Sequence, residues 1–139
     1  MKRVQVWAPL LLAVLLVLIA VVGYWQKRPA EAVRLNCADL LAGCQFTHAE
    51  APANVRFSVQ PKALEAFTLS VHAPGAGKIS AEFQMVGMDM GFNRYDLRAG
   101  QADEFTANIT LPVCVSGGHG WVLYLEIDGT RYAVPFSTR

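Results

Sequence analysis

The sequence predicts an all-β domain, an antiparallel sandwich of about seven strands, preceded by one N-terminal transmembrane helix. Three observations lead to this fold class. A long uncharged apolar run lies near the N-terminus, short runs of β-branched and aromatic residues follow it, and Gly, Pro and Asn separate those runs. With 139 residues, 53% of them hydrophobic and 17% charged, the chain is too apolar for intrinsic disorder and has room for one domain.

The N-terminal segment, residues 1–28, is expected to be a retained membrane anchor. Its apolar run covers residues 4–25, and at ~1.5 Å per residue a helix of that length crosses a hydrocarbon layer of ~30 Å. Trp7 and Trp25 lie near the two ends of the run, where an aromatic belt is found. A cleaved secretory signal is the alternative, but its apolar core usually has only ~7 to 15 residues, and the sole candidate cleavage site, at 21–23, is poor.

The charges divide between the anchor and the rest of the chain. Of the twelve basic residues, Lys2, Arg3, Lys27 and Arg28 flank the apolar run, which leaves eight against eleven acidic residues, a net charge of −3. This balance argues against nucleic acid as a partner.

Two cysteines close together predict a disulfide within residues 29–53, which are expected to form a linker. Cys37 and Cys44 stand in CADLLAGC, a spacing that a helical turn or bend can close. A disulfide implies an oxidising compartment, so we expect a single-pass protein of the bacterial inner membrane with its C-terminal domain in the periplasm. Three buried thiols in a reducing space are the alternative.

The β domain is expected over residues 54–139. Strands are predicted at 55–60, 67–73, 78–86, 92–99, 104–113, 120–127 and 131–137. Val55, Phe57 and Val59 are expected to share one face, and Asp128 with Gly129 suits a two-residue hairpin. Turns every ~10 to 14 residues are typical of an immunoglobulin-like or fibronectin-like sandwich.

Strand direction predicts which loops are neighbours. If every strand reverses direction, one end of the sandwich carries the loops at 61–66, 87–91 and 114–119, and the other end carries those at 74–77, 100–103 and 128–130. The first end then holds the unusual chemistry of the chain, namely Met85, Met88, Met90, Cys114 and His119.

The methionines of this end predict a copper site. Three of the four methionines in the chain lie within six residues, and soft thioether and thiolate donors select Cu(I). Met88 and Met90 point the same way if the loop is extended, and Gly87 with Gly91 allow the backbone to bring both sulfurs to one ion. The alternative is that methionines fill gaps in the core, above all Met85, which falls within a predicted strand.

Cys114 and His119 are the remaining candidate ligands. Cys114 is a Cu(I) ligand, a buried inert thiol or a disulfide partner of Cys44, while His119, between two glycines, is an entering ligand or a plain surface histidine. His48 and His72 are given no role. No nucleophile, base and orienting group occur together, and no nucleotide-binding motif is present, so we expect neither an enzyme nor an organic cofactor.

The segments FQMVGMDMGFNRY and LPVCV, with the anchor and a sandwich of about 100 residues, resemble the small membrane-anchored bacterial proteins of the FixH and YtkA-like group. More loosely, they resemble the periplasmic MxM copper carriers linked to cytochrome oxidase assembly. The resemblance implies copper handling by Met88 and Met90, then Met85. The chain departs from those carriers in lacking HxxxM spacing upstream and in having Cys114 where they usually have histidine.

Two functions are therefore expected from the sequence. The first is a membrane-anchored periplasmic copper-binding protein, a Cu(I) carrier or accessory factor for respiratory oxidase assembly. The second is an interaction module of a membrane protein complex that binds no metal and uses the methionine loop as an apolar contact surface.

Overall fold

An apolar helix, α1, spans Val4–Gln26 in the computed structural model of the protein. The structure describes residues 4–26, 31–88, 91, 93–113 and 118–139, which fall into two compact units, Met1–Ala30 and Glu31–Arg139. The mean hydropathy over Pro9–Gln26 is 2.2 and its side chains are exposed, so α1 is long and apolar enough to cross a membrane. The predicted apolar helix is confirmed.

The second unit is built from strands. The described residues form ten, which are β1 Val33–Arg34, β2 Cys44–His48, β3 Ala51–Phe57, β4 Ala66–His72, β5 Ile79–Met85, β6 Arg94–Asp96, β7 Arg98–Ala99, β8 Glu104–Thr110, β9 Gly120–Ile127 and β10 Thr130–Ser137. One five-stranded sheet has the order β1-β10-β9-β5-β6 and the other the order β2-β3-β4-β8-β7. Neighbouring strands are antiparallel except β1 and β10, which are parallel. The mostly β, sandwich-like prediction is confirmed.

The two sheets share one core because long strands such as β3, β4 and β9 turn alternate residues inward. Phe67 of β4 and Phe83 of β5 meet edge to face across the sheets, with ring centroids 6.1 Å apart. Phe57 of β3 and Phe136 of β10 do the same at 5.2 Å. Burying a large side chain of this kind stabilises a fold by roughly 1.5 to 3 kcal/mol, so these rings hold the sheets together.

Two details of the strand prediction are wrong. Val59 does not share the inward face of Val55, because β3 ends at Phe57 and Val59 is 53% exposed. Residues 92–99 are not one strand, because β6 pairs with β5 in the first sheet while β7 pairs with β8 in the second. Leu97, between them, is buried where the chain crosses from one sheet to the other.

The described part of the segment expected as a linker (29–53), residues 31–53, belongs to the β unit. It contributes β1, β2 and the beginning of β3, so this unit starts at Glu31 rather than at residue 54. The signal for β2 is hidden because one of its inward residues is His48. Burial of this histidine is compatible with folding since its Nδ1 lies 2.8 Å from the hydroxyl of Tyr132.

The predicted disulfide is present between Cys37 and Cys44, with their Cα atoms 5.4 Å apart. The loop that it closes packs against the domain. Leu40 is buried, and its carbonyl accepts a hydrogen bond of 2.9 Å from the N–H of Phe57. The cross-link therefore fixes a loop that belongs to the core.

The hairpin between β9 and β10 confirms the expected two-residue turn. Asp128 and Gly129 both have positive φ, 47° and 86°, which this turn requires. The Asp128 carboxylate accepts hydrogen bonds from the N–H groups of Gly77 (3.0 Å) and Lys78 (2.8 Å), and these two bonds lower its pKa. The turns at 74–77 and 128–129 are thereby joined, as strand direction predicts.

Candidate metal site at the loop end

Three loops meet at the opposite end of the sheets, and we call the described parts of residues 58–65, 86–91 and 111–120 the loop end. The expected proximity of 61–66 and 114–119 is found for Ala63, Gly118 and His119, which line one cavity, and Val86, directly before 87–91, is bonded to Gly120. Backbone hydrogen bonds tie this end together, from Val86 N–H to Gly120 O (3.0 Å), Leu64 N–H to Leu111 O (2.9 Å), Thr138 N–H to His119 O (2.9 Å) and Arg139 N–H to Pro61 O (3.2 Å).

Met85 is the last residue of β5 and lies in the core. It is in register with Trp121 of β9 and is only 6% exposed. Its packing therefore follows from the alternation of β5, which is what the core-filling alternative expects. The same position also places Met85 at the inner edge of the loop end.

Met88 stands in the turn that follows β5. Its N–H donates a hydrogen bond of 3.3 Å to the carbonyl of Met85, and its side chain is 38% exposed. Gly87, within this turn, has a φ of +81°, a region that side chains with a β-carbon rarely adopt. Gly87, which was expected to give the backbone conformational freedom, is thus the residue at which the chain turns.

His119 is exposed and lies directly before β9. Together with Met85 it lines a cavity of about 110 Å³, which we call the loop-end cavity. The other lining residues are Ala63, Leu111, Pro112, Val113, Gly118, Trp121, Thr138 and Arg139. The structure therefore brings two of the five predicted ligands, from β5 and from the segment before β9, to one concave surface.

Met90 and Cys114 lie outside the described residues, so their predicted roles stay predictions. Within the described ranges, no three or more His, Cys, Asp and Glu side chains form a group that could hold a metal ion. A metal at the loop end would accordingly depend on thioether sulfur, with His119 as the described nitrogen donor. That donor set suits Cu(I) and is poor for the hard cations Mg²⁺ and Ca²⁺.

Sequence reasoning missed the exposed aliphatic residues of the loop end. Leu64, Val86 and Val113 are 69%, 67% and 58% exposed. In the sequence they look like ordinary members of apolar runs, and Val113 falls within a strand predicted to end there. The available signal is their position directly beside a strand end, where alternation no longer decides which way a side chain points.

Two polar features contain none of the predicted copper ligands. A groove of about 350 Å³ runs between the disulfide-closed loop and β10, and is lined by Cys37, Gln60 and Ser137 among others. The pair of His48 and Tyr132 is buried, and burial raises the pKa of Tyr132. Neither feature adds a soft donor to the predicted copper site.

Comparison of the chain with family models, with curated proteins and with solved structures finds no match. The class of the protein is therefore given by its own architecture. It has an apolar helix followed by a two-sheet, mostly β domain with a disulfide between Cys37 and Cys44, and Met85 and His119 line one cavity at one end of that domain.

Proposed function

We propose that the protein is a membrane-anchored copper-binding protein that holds Cu(I) at the loop end and passes it to a membrane acceptor, as a carrier or accessory factor for respiratory oxidase assembly. One observation carries the proposal. Met85 and His119 line one cavity although 34 positions separate them in the sequence, and Met88 is hydrogen-bonded to Met85 through the backbone.

The chemistry of this end suits a carrier rather than a permanent site. Cu(I) has no strong geometric preference, and soft thioether and thiolate sulfur as well as imidazole nitrogen bind it. Met88 and His119 are accessible, so an incoming ligand can replace them one at a time. Met90 and Cys114 complete the proposed set.

The proposed location is the bacterial inner membrane, with one crossing by α1 and the β unit in the periplasm. The Cys37–Cys44 disulfide supports an oxidising compartment for that unit. We also propose the immunoglobulin-like class for the β unit, which the two packed five-stranded sheets support.

Anaerobic titration of the full chain with Cu(I), in detergent and against a competing chelator, tests this function. We expect one tightly bound Cu(I), weaker binding after Met88→Leu, and loss of tight binding in the Met88→Leu/Met90→Leu double variant. His119→Ala should weaken binding, whereas His72→Ala should not, because His72 is an exposed histidine at the other end of the sheets. An affinity no better than that of free methionine would remove the copper proposal.

A further inference from the structure

A groove of about 530 Å³ lies where the chain crosses from the first sheet to the second, and we call it the edge groove. Strand β6 contributes Arg94, Tyr95 and Asp96 to its lining, β7 contributes Arg98, and β8 contributes residues 106–108. None of these residues is a predicted copper ligand. The edge groove is therefore a surface that the proposed function does not use.

One side of the edge groove is an unpaired stretch of β8. Strand β7 is only two residues long, so it pairs with β8 near its beginning and leaves the rest of that edge without a neighbour. The Glu104 carbonyl points to this edge, where it accepts a hydrogen bond of 2.7 Å from the N–H of Gly100. The Thr110 carbonyl points the same way and accepts a bond of 3.0 Å from the hydroxyl of Tyr95. Because backbone groups alternate along a strand, the N–H and C=O of Asn108 and the N–H of Thr110 also face this edge.

The facing side of the edge groove is the outer edge of β6. The N–H of Leu97 and the carbonyl of Asn93 are hydrogen-bonded to β5. By the same alternation, the backbone groups of Arg94 and Asp96 face away from β5. Among the described residues, no strand pairs with β6 or with Asn108 on these outer sides. Unpaired backbone donors and acceptors of this kind are a template for another extended chain.

The charges of the edge groove favour an acidic ligand. Arg98 is exposed, and its guanidinium forms no ion pair among the described residues. Arg94 is partly engaged, since it donates a hydrogen bond of 2.7 Å to the hydroxyl of Ser80 and lies 3.7 Å from the carboxylate of Glu126. Asp96 is the one carboxylate in the lining. Two guanidinium groups therefore stand against one carboxylate.

We infer that the edge groove binds an extended acidic peptide segment of a partner protein, which adds as a strand to the unpaired edge of β8. Main-chain hydrogen bonds to Asn108 and Thr110 supply the affinity in this mode of recognition, and alternate side chains supply the specificity. Side chains two positions apart point the same way in an extended segment, so two alternate carboxylates can reach the guanidinium groups of Arg98 and Arg94.

A second copy of the chain fits this edge less well than an acidic peptide does. Pairing the same edge of two copies would bring their arginines into one interface, and like charges that face each other across paired strands are destabilising. Charged side chains on an edge strand are also a common protection against self-association. The same arginines therefore oppose a dimer and select a partner of opposite charge.

The test titrates the full chain in detergent into a fluorescein-labelled peptide, Thr-Glu-Val-Glu-Val-Thr, blocked at both ends, and follows its anisotropy. One comparison peptide has glutamine in place of both glutamates. A second carries a methyl group on every backbone nitrogen, so it keeps the charges but cannot donate main-chain hydrogen bonds. We expect the glutamine peptide to bind about tenfold more weakly and the methylated peptide not to bind. No binding of the acidic peptide, or equal binding of either comparison peptide, would overturn the inference.

A matched pair of variants places the binding at the edge groove. Arg98→Gln should weaken binding of the acidic peptide about fivefold. The control is Arg56→Gln, which removes an exposed arginine of β3 that belongs to the same sheet but does not line the edge groove. Equal weakening by both substitutions would mean that the peptide responds only to the overall charge, and would overturn the inference.

Amide hydrogen exchange of the full chain tests strand addition itself. The peptide should slow exchange at Asn108 and Thr110, and change it little at Ala107 and Ile109, whose N–H groups face β4. Slowing that grows with protein concentration in the absence of peptide would show a dimer at this edge and contradict the proposed partner. These measurements use the metal-free chain, so their outcome is independent of the Cu(I) titration.

Discussion

Removal of the Cys37–Cys44 disulfide should lower the free energy of unfolding of the β unit by about 2.5 kcal/mol. The two cysteines are seven positions apart, so the bond closes a loop of eight residues. Loop-closure entropy lost from the unfolded chain on cross-linking a loop of that length corresponds to about 2.5 kcal/mol at 25 °C. Most of the loss of stability is therefore expected to come from the greater conformational entropy of the unfolded chain without the disulfide.

The packing of the disulfide-closed loop decides which substitution should replace the cysteines. Cys44 is 8% exposed, and a serine hydroxyl there would be buried, which adds a separate cost. Cys37→Ala/Cys44→Ala avoids this cost. Leu40 and its hydrogen bond to Phe57 remain available in the variant, so the loop should still dock in the folded state.

Urea unfolding of the full chain in detergent, followed by the fluorescence of the buried Trp121, measures the change. The unmodified protein with and without reductant is the control, and the reduced protein should unfold at nearly the same urea concentration as the double variant. Identical midpoints for the oxidised and reduced protein would refute the entropic account. A loss above about 5 kcal/mol would show that the cross-link holds the native packing itself.

Three further changes probe the β unit. Asp128→Asn should lower the melting temperature at pH 7. Because the pKa of Asp128 is lowered in the folded state, its carboxylate stabilises the fold above the unfolded-state pKa, and this stabilisation is lost as pH falls through the folded-state pKa. The melting temperatures of the variant and the unmodified protein should therefore converge in acid. Tyr132→Phe leaves Nδ1 of His48 buried without its partner and should cost about 1 to 3 kcal/mol in urea unfolding; no loss would mean that water replaces the hydroxyl. Gly87→Ala, at a φ of +81°, should cost about 1 to 2 kcal/mol by strain alone, since nothing lies within 4 Å of the added carbon; an unchanged midpoint would show that the turn relaxes.

Local patterns in the sequence were enough to predict the apolar helix, the long strands and the turn at Asp128. These features depend on neighbouring residues, because hydrophobic periodicity and turn chemistry act over a few positions. The neighbourhood of the loops at 61–66 and 114–119 also followed for their described residues, since antiparallel strands reverse direction one after another.

The features that the sequence hid depend on distant residues. β2 contains the inward-facing His48, and its partner Tyr132 is 84 positions away. The division of residues 92–99 between two sheets depends on which strands lie beside them, and alternation within that run carries no such information. Val59 was misplaced because the pattern continues past the residue where β3 ends.

The position of the candidate site could be predicted from the sequence better than the residues that form it. Strand direction placed the methionine loop beside the segment of His119, and the described residues agree. Burial of Met85 could not be separated from a ligand role by sequence, because a methionine at a strand end serves both. The exposed aliphatic residues around the cavity became visible only from the positions of the loops.

Copper X-ray absorption of the full chain loaded with one equivalent of Cu(I) tests whether methionine and histidine hold the ion at the loop end. We expect a coordination shell of sulfur and nitrogen, with fewer sulfur atoms after Met88→Leu and no nitrogen after His119→Ala, while His72→Ala changes nothing. A spectrum that none of these variants alters would contradict this expectation, because the copper would then be bound elsewhere.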